Sequence, residues 1–477
     1  MVRCLNIVGR KDELSKLATI LQSGRPEFVV LYGRRRVGKT YLINEYFSGV
    51  FSFAATGLAK GNIRAQLGVF DDKLQEYGLW FDDDSKSWLE AFRRLKRLLQ
   101  SDDVARHAAT GRRVVFIDEM PWFDTPKSQF LTALEYFWND WGSKQEDLVL
   151  IVCGSATSWI AEKLLESVGG LYNRVTRIID LQPFTLSECD EYLRQCGLVY
   201  TKRQVVEAYM ILGGIPFYLN LLDPTMSLAQ SVDELCFRRG GQLRNEFQRL
   251  FRSLFHGADT HIRIVHNLAR RTAGLTASDL RRVDGLGGST LMKSLRELEQ
   301  CGFIRRYRDF TKPKNDAIYQ LIDPFTLFHL RLIEPGEVDS WLGYLGTPSY
   351  IAWSGLAFEL VCLHHVEGIK RELGIWGIES SACAWRSKKS TPGAQIDLLI
   401  DRRDDVISVC EMKFSREEFV ITPAYEKQLR AKLDVFEREA NPGKALHLTM
   451  ITMEGVRHNA QYNAVVQREV RIADLIG

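Results

Sequence analysis

The chain has 477 residues, of which 45% are hydrophobic and 26% are charged, and its formal net charge is +3. This composition is that of an ordinary globular protein too long for a single core, and it excludes a disordered or fibrous chain. A charge this small for the size excludes a globally basic nucleic-acid binder, so any nucleic-acid surface must be local.

The cysteines and the hydropathy pattern favour a soluble protein of the cytoplasm. The nine cysteines are scattered and form no C-x-x-C pair, which argues for reduced thiols and against a disulfide framework or a structural zinc site. No stretch approaches the roughly 18 apolar residues of a membrane span, and the N-terminus has no apolar signal-peptide core. We therefore expect no membrane partner.

A phosphate-binding loop is predicted early in the chain. The apolar run Phe28–Tyr32 predicts a buried strand, and Gly33-x-x-x-x-Gly38-Lys39-Thr40 follows it and matches the P-loop pattern. A predicted helix completes the required context, and its N-terminus forms with the loop N–H groups a concavity for phosphate oxygens. Lys39 can then reach the β- and γ-phosphates of ATP, while the Thr40 hydroxyl can bind Mg²⁺.

A second apolar strand ends in two acidic residues about eighty positions after the P-loop. The stretch Arg113–Glu119 reads R-V-V-F-I-D-E, which is the Walker B pattern. At the carboxyl end of this strand, Asp118 can hold Mg²⁺ through water, and Glu119 can polarise the attacking water. The glutamate next to the aspartate favours hydrolysis over binding alone.

Two further polar candidates follow the next strands. Leu148–Cys153 predicts a third buried strand, after which Ser155 is a candidate polar residue at the strand end; a helix N-cap role for Ser155 or Thr157 is equally compatible. Farther along, Arg174 precedes the strand-like run Ile178–Leu181. This arginine can complete the ATP site of a neighbouring copy as an arginine finger, which implies a homo-oligomer, or it is an ordinary surface or ion-paired arginine.

These motifs together resemble the archaeal-type ATPase family of prokaryotes, near the STAND branch of AAA+ ATPases. The resemblance covers about Asn6–Leu222, and it also includes a Gly9-Arg10 box and Gly214-Ile215-Pro216 in a helical lid. It implies a parallel-sheet ATPase core, contact of Gly9 and Arg10 with adenine, and a sensor-1 role for Ser155. The lid has no clear sensor-2 arginine, which favours a nucleotide-controlled switch over a motor-like ring.

The middle of the chain predicts a winged helix. Helices are expected at Ile262–Arg271 and Ser289–Gln300, and strands at Gly302–Tyr307 and Ala317–Ile322 flank a charged tip, Arg308–Asp316. Its local excess of basic residues is a candidate footprint for DNA phosphates, and the alternative is a helical spacer that only packs. The footprint residues are Lys293, Arg296, Arg305, Arg306 and Arg308.

The C-terminal part brings acidic residues and a lysine onto predicted neighbouring elements. Gly355–Glu367 predicts a helix that carries Glu359, and two apolar strands form a hairpin after it. Because side chains alternate along a strand, Glu411 and Lys413 project to the same face of the second strand. If the first strand brings Asp397 alongside, two carboxylates and a lysine converge.

Such a set suits metal-assisted hydrolysis of a phosphodiester. Asp397 and Glu411 would bind Mg²⁺, a hard cation that prefers carboxylate oxygens, and the metal lowers the pKa of its bound water. Lys413 would position the nucleophile or neutralise the scissile phosphate. Glu359 would orient a second water or metal.

A helical Glu, an Asp on a strand and Glu-x-Lys resemble the PD-(D/E)xK nuclease superfamily, and more narrowly the domain that commonly ends these archaeal-type ATPases. The resemblance covers about Ser354–Glu437, with Ile396-Asp397 in place of Pro-Asp. It implies a nuclease-type fold and a DNA substrate. Some relatives keep the fold and only bind, so cleavage and binding both stay open.

The sequence thus predicts an α/β protein in four parts: a P-loop AAA+-type parallel-sheet core (1–185), a helical lid and linker helices (186–257) including a helical stretch at 230–255, a winged helix (258–335), and a PD-(D/E)xK-like α/β domain (350–477). Our main hypothesis is an ATP-binding and hydrolysing protein, with ATP and Mg²⁺ as cofactors, that controls a Mg²⁺-dependent DNA nuclease domain. The alternative is a nucleotide-switched DNA- or protein-binding regulator whose nuclease-like domain is inactive.

Overall fold

A computed structural model describes residues 7–155, 157–165, 171–255, 257–285, 287–311, 317–387 and 394–477. The chain divides into two compact units, Met1–Pro183 and Phe184–Gly477; its division into four domains stays a prediction. Among the described residues, no helix combines the length and the apolar character that crossing a membrane requires. The described cysteines are all free thiols.

The first unit is an α/β layer structure around a five-stranded sheet of order β2-β3-β4-β1-β5, in which every neighbouring pair is parallel. The predicted α/β class and parallel sheet are confirmed. The elements of this unit are α1 (Lys11–Gln22), β1 (Glu27–Tyr32), α2 (Lys39–Tyr46), β2 (Phe53–Thr56), α3 (Ile63–Glu76), α4 (Trp88–Leu99), β3 (Arg113–Asp118), α5 (Phe130–Asp140), β4 (Leu148–Gly154), α6 (Thr157–Ile160) and β5 (Arg177–Asp180).

Helix α4 illustrates how the core of this unit forms. Its hydroxyl-bearing N-cap, Ser87, accepts a hydrogen bond from the Glu90 N–H, which satisfies one of the free donors at the helix start. Trp88, Phe92 and Leu95 recur at helical spacing and are buried against the sheet side of the unit. Each such side chain contributes about 1.5–3 kcal/mol by burial.

The strand order decides where the loops of this unit meet. Strand β4 lies between β1 and β3, with Tyr32 opposite Gly154 and Ile117 opposite Val152. Because the strands are parallel, the loops after β1, β3 and β4 all leave the same edge of the sheet, which is where open α/β sheets place ligands.

The second unit begins with helices and continues into a small three-stranded sheet of order β6-β8-β7. The helices are α7 (Leu186–Gln195), α8 (Lys202–Leu212), α9 (Pro216–Leu219), α10 (Leu228–Val232), α11 (Glu246–Leu254) and α12 (Ala258–Arg270). The elements that follow are β6 (Leu275–Thr276), α13 (Ala277–Asp284), α14 (Gly288–Gln300), β7 (Ile304–Arg308) and β8 (Ala317–Leu321). Residues 312–316 of the predicted charged tip lie outside the described residues.

The helical stretch expected at 230–255 is interrupted in the structure. Helix α10 ends at Val232 and passes into a single π-helical turn, Asp233–Phe237, and α11 starts only at Glu246. A Cβ atom on Gly241 would lie 2.4 Å from the Leu235 carbonyl oxygen, so the chain turns back there in a way that only glycine permits.

The C-terminal elements build a mixed sheet of order β13-β12-β11-β10-β9. Strands β9, β10 and β11 are antiparallel neighbours, whereas β11, β12 and β13 are parallel. The elements are α15 (Pro324–Phe328), α16 (Trp341–Tyr344), α17 (Pro348–His364), α18 (Val366–Glu372), β9 (Ser380–Arg386), β10 (Gln395–Arg402), β11 (Val406–Lys413), α19 (Pro423–Ala440), β12 (Ala445–Thr452), α20 (Ala460–Val465) and β13 (Arg468–Arg471).

Helix α17 starts earlier than the predicted Gly355 and ends earlier than Glu367. Thr347 caps it by accepting a hydrogen bond from the Tyr350 N–H, and Pro348 occupies the first turn, where a proline costs no hydrogen bond. The rings of Phe358 and Phe414 lie 5.5 Å apart, so this helix packs beside the end of β11.

Arg112 ties together the edge of the first unit's sheet opposite to the loops. Its buried guanidinium donates to the carbonyl oxygens of Ile20 at 2.6 Å, Leu148 at 3.1 Å and Glu146 at 3.2 Å. We expect Arg112→Met to lower the free energy of unfolding of this unit by about 2–4 kcal/mol, because several buried carbonyls lose their donor. Urea denaturation measures this, and Arg93→Met, at an exposed position of α4, is the control; equal values for both variants would contradict the role.

Candidate functional site

The loop after β1 needs its two glycines for different reasons. Gly33 has φ 144°, and a Cβ atom there would lie 2.3 Å from the Leu181 carbonyl oxygen. Gly38 has φ 93° at the N-cap of α2, in the left-handed region, although nothing crowds it. The loop conformation therefore excludes a side chain at both positions.

Lys39 lies over the loop that it follows. Its buried ammonium group donates to the carbonyl oxygens of Gly33 at 2.9 Å and Arg34 at 3.0 Å. The loop thus surrounds the ammonium group of Lys39, next to the first turn of α2. A positive charge in this position is complementary to a phosphate anion.

Thr40 and Asp118 are 78 residues apart in sequence and meet at the sheet edge. The Thr40 hydroxyl donates to the Asp118 carboxylate at 2.8 Å, and the Glu119 N–H donates to the other Asp118 oxygen at 2.9 Å. Burial is the main cause that raises the pKa of Asp118, opposed by the bond from Thr40. The two residues predicted to hold Mg²⁺ at the first site are therefore adjacent.

Glu119 is oriented by Ser155 at the end of β4. The Ser155 hydroxyl donates to one Glu119 oxygen at 2.6 Å, and the Ser155 N–H donates to the other at 3.3 Å. Glu119 itself has φ 46°, which turns the chain sharply after Asp118. The structure thus joins Glu119 to Ser155; the side chain of Thr157, the alternative capping residue, lies outside the described residues.

Gly9 and Arg10 both have positive φ, and the Arg10 side chain supports the loop. Its buried guanidinium donates to the Val37 carbonyl at 3.1 Å and to the Gln182 carbonyl at 2.6 Å. Arg10 therefore links the P-loop to the segment after β5. Contact of Gly9 and Arg10 with adenine stays a prediction. The sequence pattern did not predict the hydrogen bond from Arg10 to the P-loop.

Arg174 lies exposed at the end of the 3₁₀ turn Tyr172–Arg174, just before β5. An exposed arginine at this place is available to a neighbouring molecule. Its role as an arginine finger stays a prediction.

A cavity of about 340 Å³ adjoins Thr40 and Asp118. It is also lined by Asn44 and Thr56, which sequence reasoning missed. Asn44 is four residues after Thr40 on α2, hence on the same helix face, and Thr56 is the register partner of Asp118 on β2. Helical spacing pointed to Asn44, whereas Thr56 needed the strand pairing.

The second set of predicted residues lies on β10, β11 and α17. Leu398 pairs with Cys410 in the antiparallel register, so Asp397 and Glu411 are the next residues at the open end of this strand pair. The pairing of β10 with β9 shifts between Ile396 and Leu399, so an irregularity lies beside Asp397, where such features re-aim a side chain.

Glu411 is the centre of this second site. Its carboxylate is 3.0 Å from the Lys413 ammonium and 2.6 Å from the Lys432 ammonium, and it accepts a 2.6 Å hydrogen bond from the Tyr425 hydroxyl. Although burial raises the pKa of Glu411, the two lysines outweigh it and hold the pKa below its usual value. The sequence analysis did not identify Lys432. The available signal was its position on α19, two helical turns after Tyr425.

Glu359 approaches the same site from α17 and has a different protonation state. Burial, followed by the charge of Asp397, raises the pKa of Glu359 to about 8. Lys413 opposes this effect and Glu411 adds to it, so these side chains are close enough to act on one another electrostatically. Asp397, Glu411 and Lys413 are thus within electrostatic range of Glu359; the catalytic roles of all four residues stay predictions.

The donor set of the second site fits a hard divalent cation. The carboxylates of Asp397 and Glu411 offer the oxygen atoms that Mg²⁺ prefers. Across the described ranges, no group of three or more His, Cys, Asp or Glu side chains is close enough to form a cage for a metal ion. Two protein ligands plus water are a usual arrangement for Mg²⁺, so Asp397 and Glu411 are the residues that would hold it.

The β7–β8 hairpin lies against the edge of the C-terminal sheet. Asp309, after β7, bridges to Ala384 on β9, and the Phe310 N–H donates to the Ala384 carbonyl at 2.9 Å. A cavity of about 130 Å³ between them has Tyr307 and Asp397 in its wall. The β7–β8 hairpin therefore contacts the sheet that carries the second site, within the same unit.

The five basic residues that were predicted to bind DNA phosphates differ in their exposure to solvent. Arg305 is partly buried, donates to Gln320 at 2.7 Å and stacks on Tyr307 at 4.6 Å. Burial lowers its pKa to about 10, while the charges of Tyr307 and Asp397 oppose this. The other four residues are exposed, namely Lys293, Arg296, Arg306 and Arg308.

The raised pKa of Glu359 predicts a pH dependence of stability. The unfolded chain releases this proton near pH 4.5, but the folded chain keeps it until about pH 8, so the folded state binds more protons in between. We therefore expect the free energy of unfolding of the second unit to fall as pH rises from about 5 to 8, and to fall less in Glu359→Gln. Chemical denaturation in metal-free buffer measures this. Glu372→Gln, at an exposed position of α18, should follow the wild type; parallel curves for Glu359→Gln and wild type would contradict the assignment.

Comparison with known proteins gives distant similarities. No family model matches the chain. The uncharacterized protein MJECL04 of Methanocaldococcus jannaschii is 25% identical over 330 residues, which cover 69% of this chain and 69% of that protein. Among solved structures, the Walker-type ATPase PABY2304 of Pyrococcus abyssi is 18% identical with a TM-score of 0.47, and the alignment covers 69% of this chain and 97% of that one.

Two other solved structures are similar over comparable lengths. The ORC2 protein of Aeropyrum pernix, solved as ADPNP and ADP complexes, is 14% identical with a TM-score of 0.41 and covers 76% of this chain and 97% of its own. A RuvB mutant of Thermotoga maritima is 15% identical with a TM-score of 0.35 and covers 65% of this chain and 92% of its own.

Proposed function

We propose that the first unit binds and hydrolyses ATP as a P-loop ATPase of the AAA+ type. The observation that carries this proposal is the 2.8 Å hydrogen bond from Thr40 to Asp118. These are the two residue types that hold Mg²⁺ in P-loop enzymes, and they meet beside a glycine-bounded loop that already encloses the ammonium group of Lys39.

Each side chain has a separate task in this mechanism. The loop N–H groups and the start of α2 bind the phosphates, and Lys39 turns its ammonium from the loop carbonyls to the β- and γ-phosphate oxygens. Glu119 accepts the proton of the attacking water, and Ser155 fixes the direction of the Glu119 carboxylate. Thr40, and Asp118 through water, would hold Mg²⁺, which when bound would neutralise the developing phosphate charge.

Two substitutions separate ATP binding from hydrolysis. Lys39→Ala should weaken ATP binding by at least about tenfold, because the loop loses the charge that meets the phosphates. Glu119→Gln should still bind ATP but lower kcat by about 100-fold or more, because the base for the attacking water is gone. Calorimetry with ATP and Mg²⁺ measures the first effect, and phosphate release measures the second.

Lys11→Ala, at an exposed lysine of the same unit, is the matched control for the binding measurement. Unchanged ATP affinity in Lys39→Ala would remove the phosphate-binding role. Wild-type turnover in Glu119→Gln would remove the base.

A second candidate function is hydrolysis of nucleic-acid phosphodiesters at the C-terminal sheet. We infer this from the convergence of Asp397, Glu411, Lys413 and Glu359 described above, a set typical of a PD-(D/E)xK fold. The raised pKa of Glu359, beside the ionised carboxylate of Glu411, gives the site both a proton donor and a charged ligand.

Each side chain of this second site has a separate role in the proposed hydrolysis. Asp397 and Glu411 bind and orient the divalent cation, and Lys413 moves from Glu411 to the scissile phosphate. Glu359, with its raised pKa, holds a proton that can pass to the leaving oxygen. Mg²⁺, when bound, supplies a water of lowered pKa and neutralises charge on the phosphate.

The finer assignments belong to the same proposal. We place the chain among archaeal-type AAA+/STAND ATPases, with a winged helix formed by α12, α13, α14 and the β7–β8 hairpin. DNA is the proposed substrate, with Arg306 and Arg308 on the exposed side of the hairpin as phosphate contacts. ATP in the first unit is proposed to control the second site, and Arg174 to complete a neighbour's ATP site in a homo-oligomer.

The nuclease proposal predicts a defined loss. Purified wild type, with Mg²⁺ and in the presence or absence of ATP, should cleave plasmid or linear DNA, and Asp397→Asn should lower the rate by about 100-fold or more because one of two metal ligands loses its charge. Gel assays of product formation measure this. Asp434→Asn, an exposed acidic residue of α19, is the control and should cleave like wild type.

Equal inertness of wild type and Asp397→Asn on DNA and on RNA would reject the nuclease function. The alternative, a nucleotide-switched binding protein, then predicts ATP-dependent DNA affinity that Asp397→Asn leaves intact. A rate that differs with and without ATP would support control by the first unit.

A further inference from the structure

We propose that Lys432 is a second catalytic lysine of the C-terminal site, which contacts the scissile phosphate of a nucleic-acid strand together with Lys413. The proposal rests on the proposed nuclease function and deepens it. Because Lys432 lies on α19 and outside the Glu-x-Lys pattern, the sequence motif does not point to it.

The geometry makes the two lysines equivalent partners of one carboxylate. The Lys432 ammonium lies 2.6 Å from Oε2 of Glu411, and the Lys413 ammonium lies 3.0 Å from Oε1. Their side chains are 26% and 37% exposed, whereas that of Glu411 is 11% exposed. Both cations are therefore more exposed to solvent than the anion that they contact.

Neutralising Glu411 does not require both lysines. Lys413 alone balances its single charge, and the Tyr425 hydroxyl already donates to Oε1 at 2.6 Å. Tyr425 and Lys432 stand on the same helix, α19, two turns apart. Lys432 is therefore a second ammonium on a carboxylate that Lys413 already pairs.

The charges of the site match the reaction when both lysines are counted. Asp397 and Glu411 carry two negative charges, and Lys413 and Lys432 carry two positive ones. A divalent cation on the carboxylates raises the sum to about +2, which equals the charge of a phosphodiester attacked by hydroxide, with opposite sign. Without Lys432 the sum is about +1, and part of the negative charge of the transition state is uncompensated.

The chemical step is an ordinary hydrolysis. The oxygen of a water molecule bonds to phosphorus after losing a proton to solvent, and the bond from phosphorus to the leaving oxygen breaks. The leaving oxygen keeps the electron pair of that bond and takes up a proton. Lys413 and Lys432 then donate from their ammonium groups to the non-bridging phosphate oxygens, where charge accumulates, and Glu411 would hold the divalent cation.

The experiment compares Lys432→Met, Lys432→Arg and Lys427→Met in the full-length chain. Lys427 is an exposed lysine of the same helix and serves as the matched control. In steady-state cleavage of a DNA duplex with Mg²⁺, we expect Lys432→Met to lower kcat by about 100-fold with little change in KM, because the contact strengthens in the transition state. Lys432→Arg should recover most of kcat, and Lys427→Met should match wild type.

A structural role gives a different result. If Lys432 only stabilises the buried Glu411, Lys432→Met lowers the thermal unfolding midpoint, and kcat corrected for the folded fraction stays near wild type. That outcome overturns the proposal, as does a failure of Lys432→Arg to recover activity where Lys432→Met has lost it.

A binding readout keeps the test independent of cleavage. With Ca²⁺ in place of Mg²⁺, the affinity of each variant for the same DNA duplex is measured at several salt concentrations. Loss of one phosphate contact in Lys432→Met should reduce the salt slope by about one relative to Lys427→Met. If wild type and Asp397→Asn are equally inert, the nuclease function fails, and this slope still decides whether Lys432 contacts phosphate; an unchanged slope overturns it.

Discussion

The hydrogen bond between Thr40 and Asp118 depends on the strand order of the first sheet. The two residues end or follow strands separated by β4, so the loops after β1 and β3 face each other only because all three strands are parallel and end at one edge. The same order places Ser155, at the end of β4, between them and in contact with Glu119. Loss of the β4 pairing would separate Thr40 from Asp118 and Ser155 from Glu119.

The second site obeys a related constraint, which is the cost of burying like charges together. The charges of Asp397 on β10 and Glu411 on β11 act on Glu359 of α17, and the pKa values of Glu359 and Glu411 shift in opposite directions. Glu411 stays ionised because Lys432 and Lys413 contact it, whereas burial and Asp397 keep the proton on Glu359 up to about pH 8. The site therefore combines an ionised and a protonated carboxyl at neutral pH, which is a usual condition for acid–base chemistry.

The β7–β8 hairpin connects the middle of the chain to this second site. Its pairing with Ala384 uses the edge strand of the C-terminal sheet, which otherwise would offer unpaired backbone groups. On β7, Arg305 packs on Tyr307 and is partly buried, whereas Arg306 and Arg308 are exposed. Alternation along a strand thus gives neighbouring arginines of one basic run two different environments.

Local sequence was sufficient for the elements and for the first motif. The strand expected at Phe28–Tyr32 and the helix expected at Ser289–Gln300 agree with β1 and α14 to within one residue, because such signals depend on neighbours in sequence. The early start of α17 and the break after Val232 escaped, since a cap at Thr347 and a close approach at Gly241 decided them.

By itself the sequence determined the α/β class, the P-loop context and the residue types of both sites, because periodicity and glycine placement are local properties. Only the tertiary structure decided which distant side chains meet. It paired Ser155 with Glu119, linked Arg10 to the P-loop and brought Lys432 to Glu411. Strand order and register set these contacts, and they arise from packing between segments that no local pattern relates.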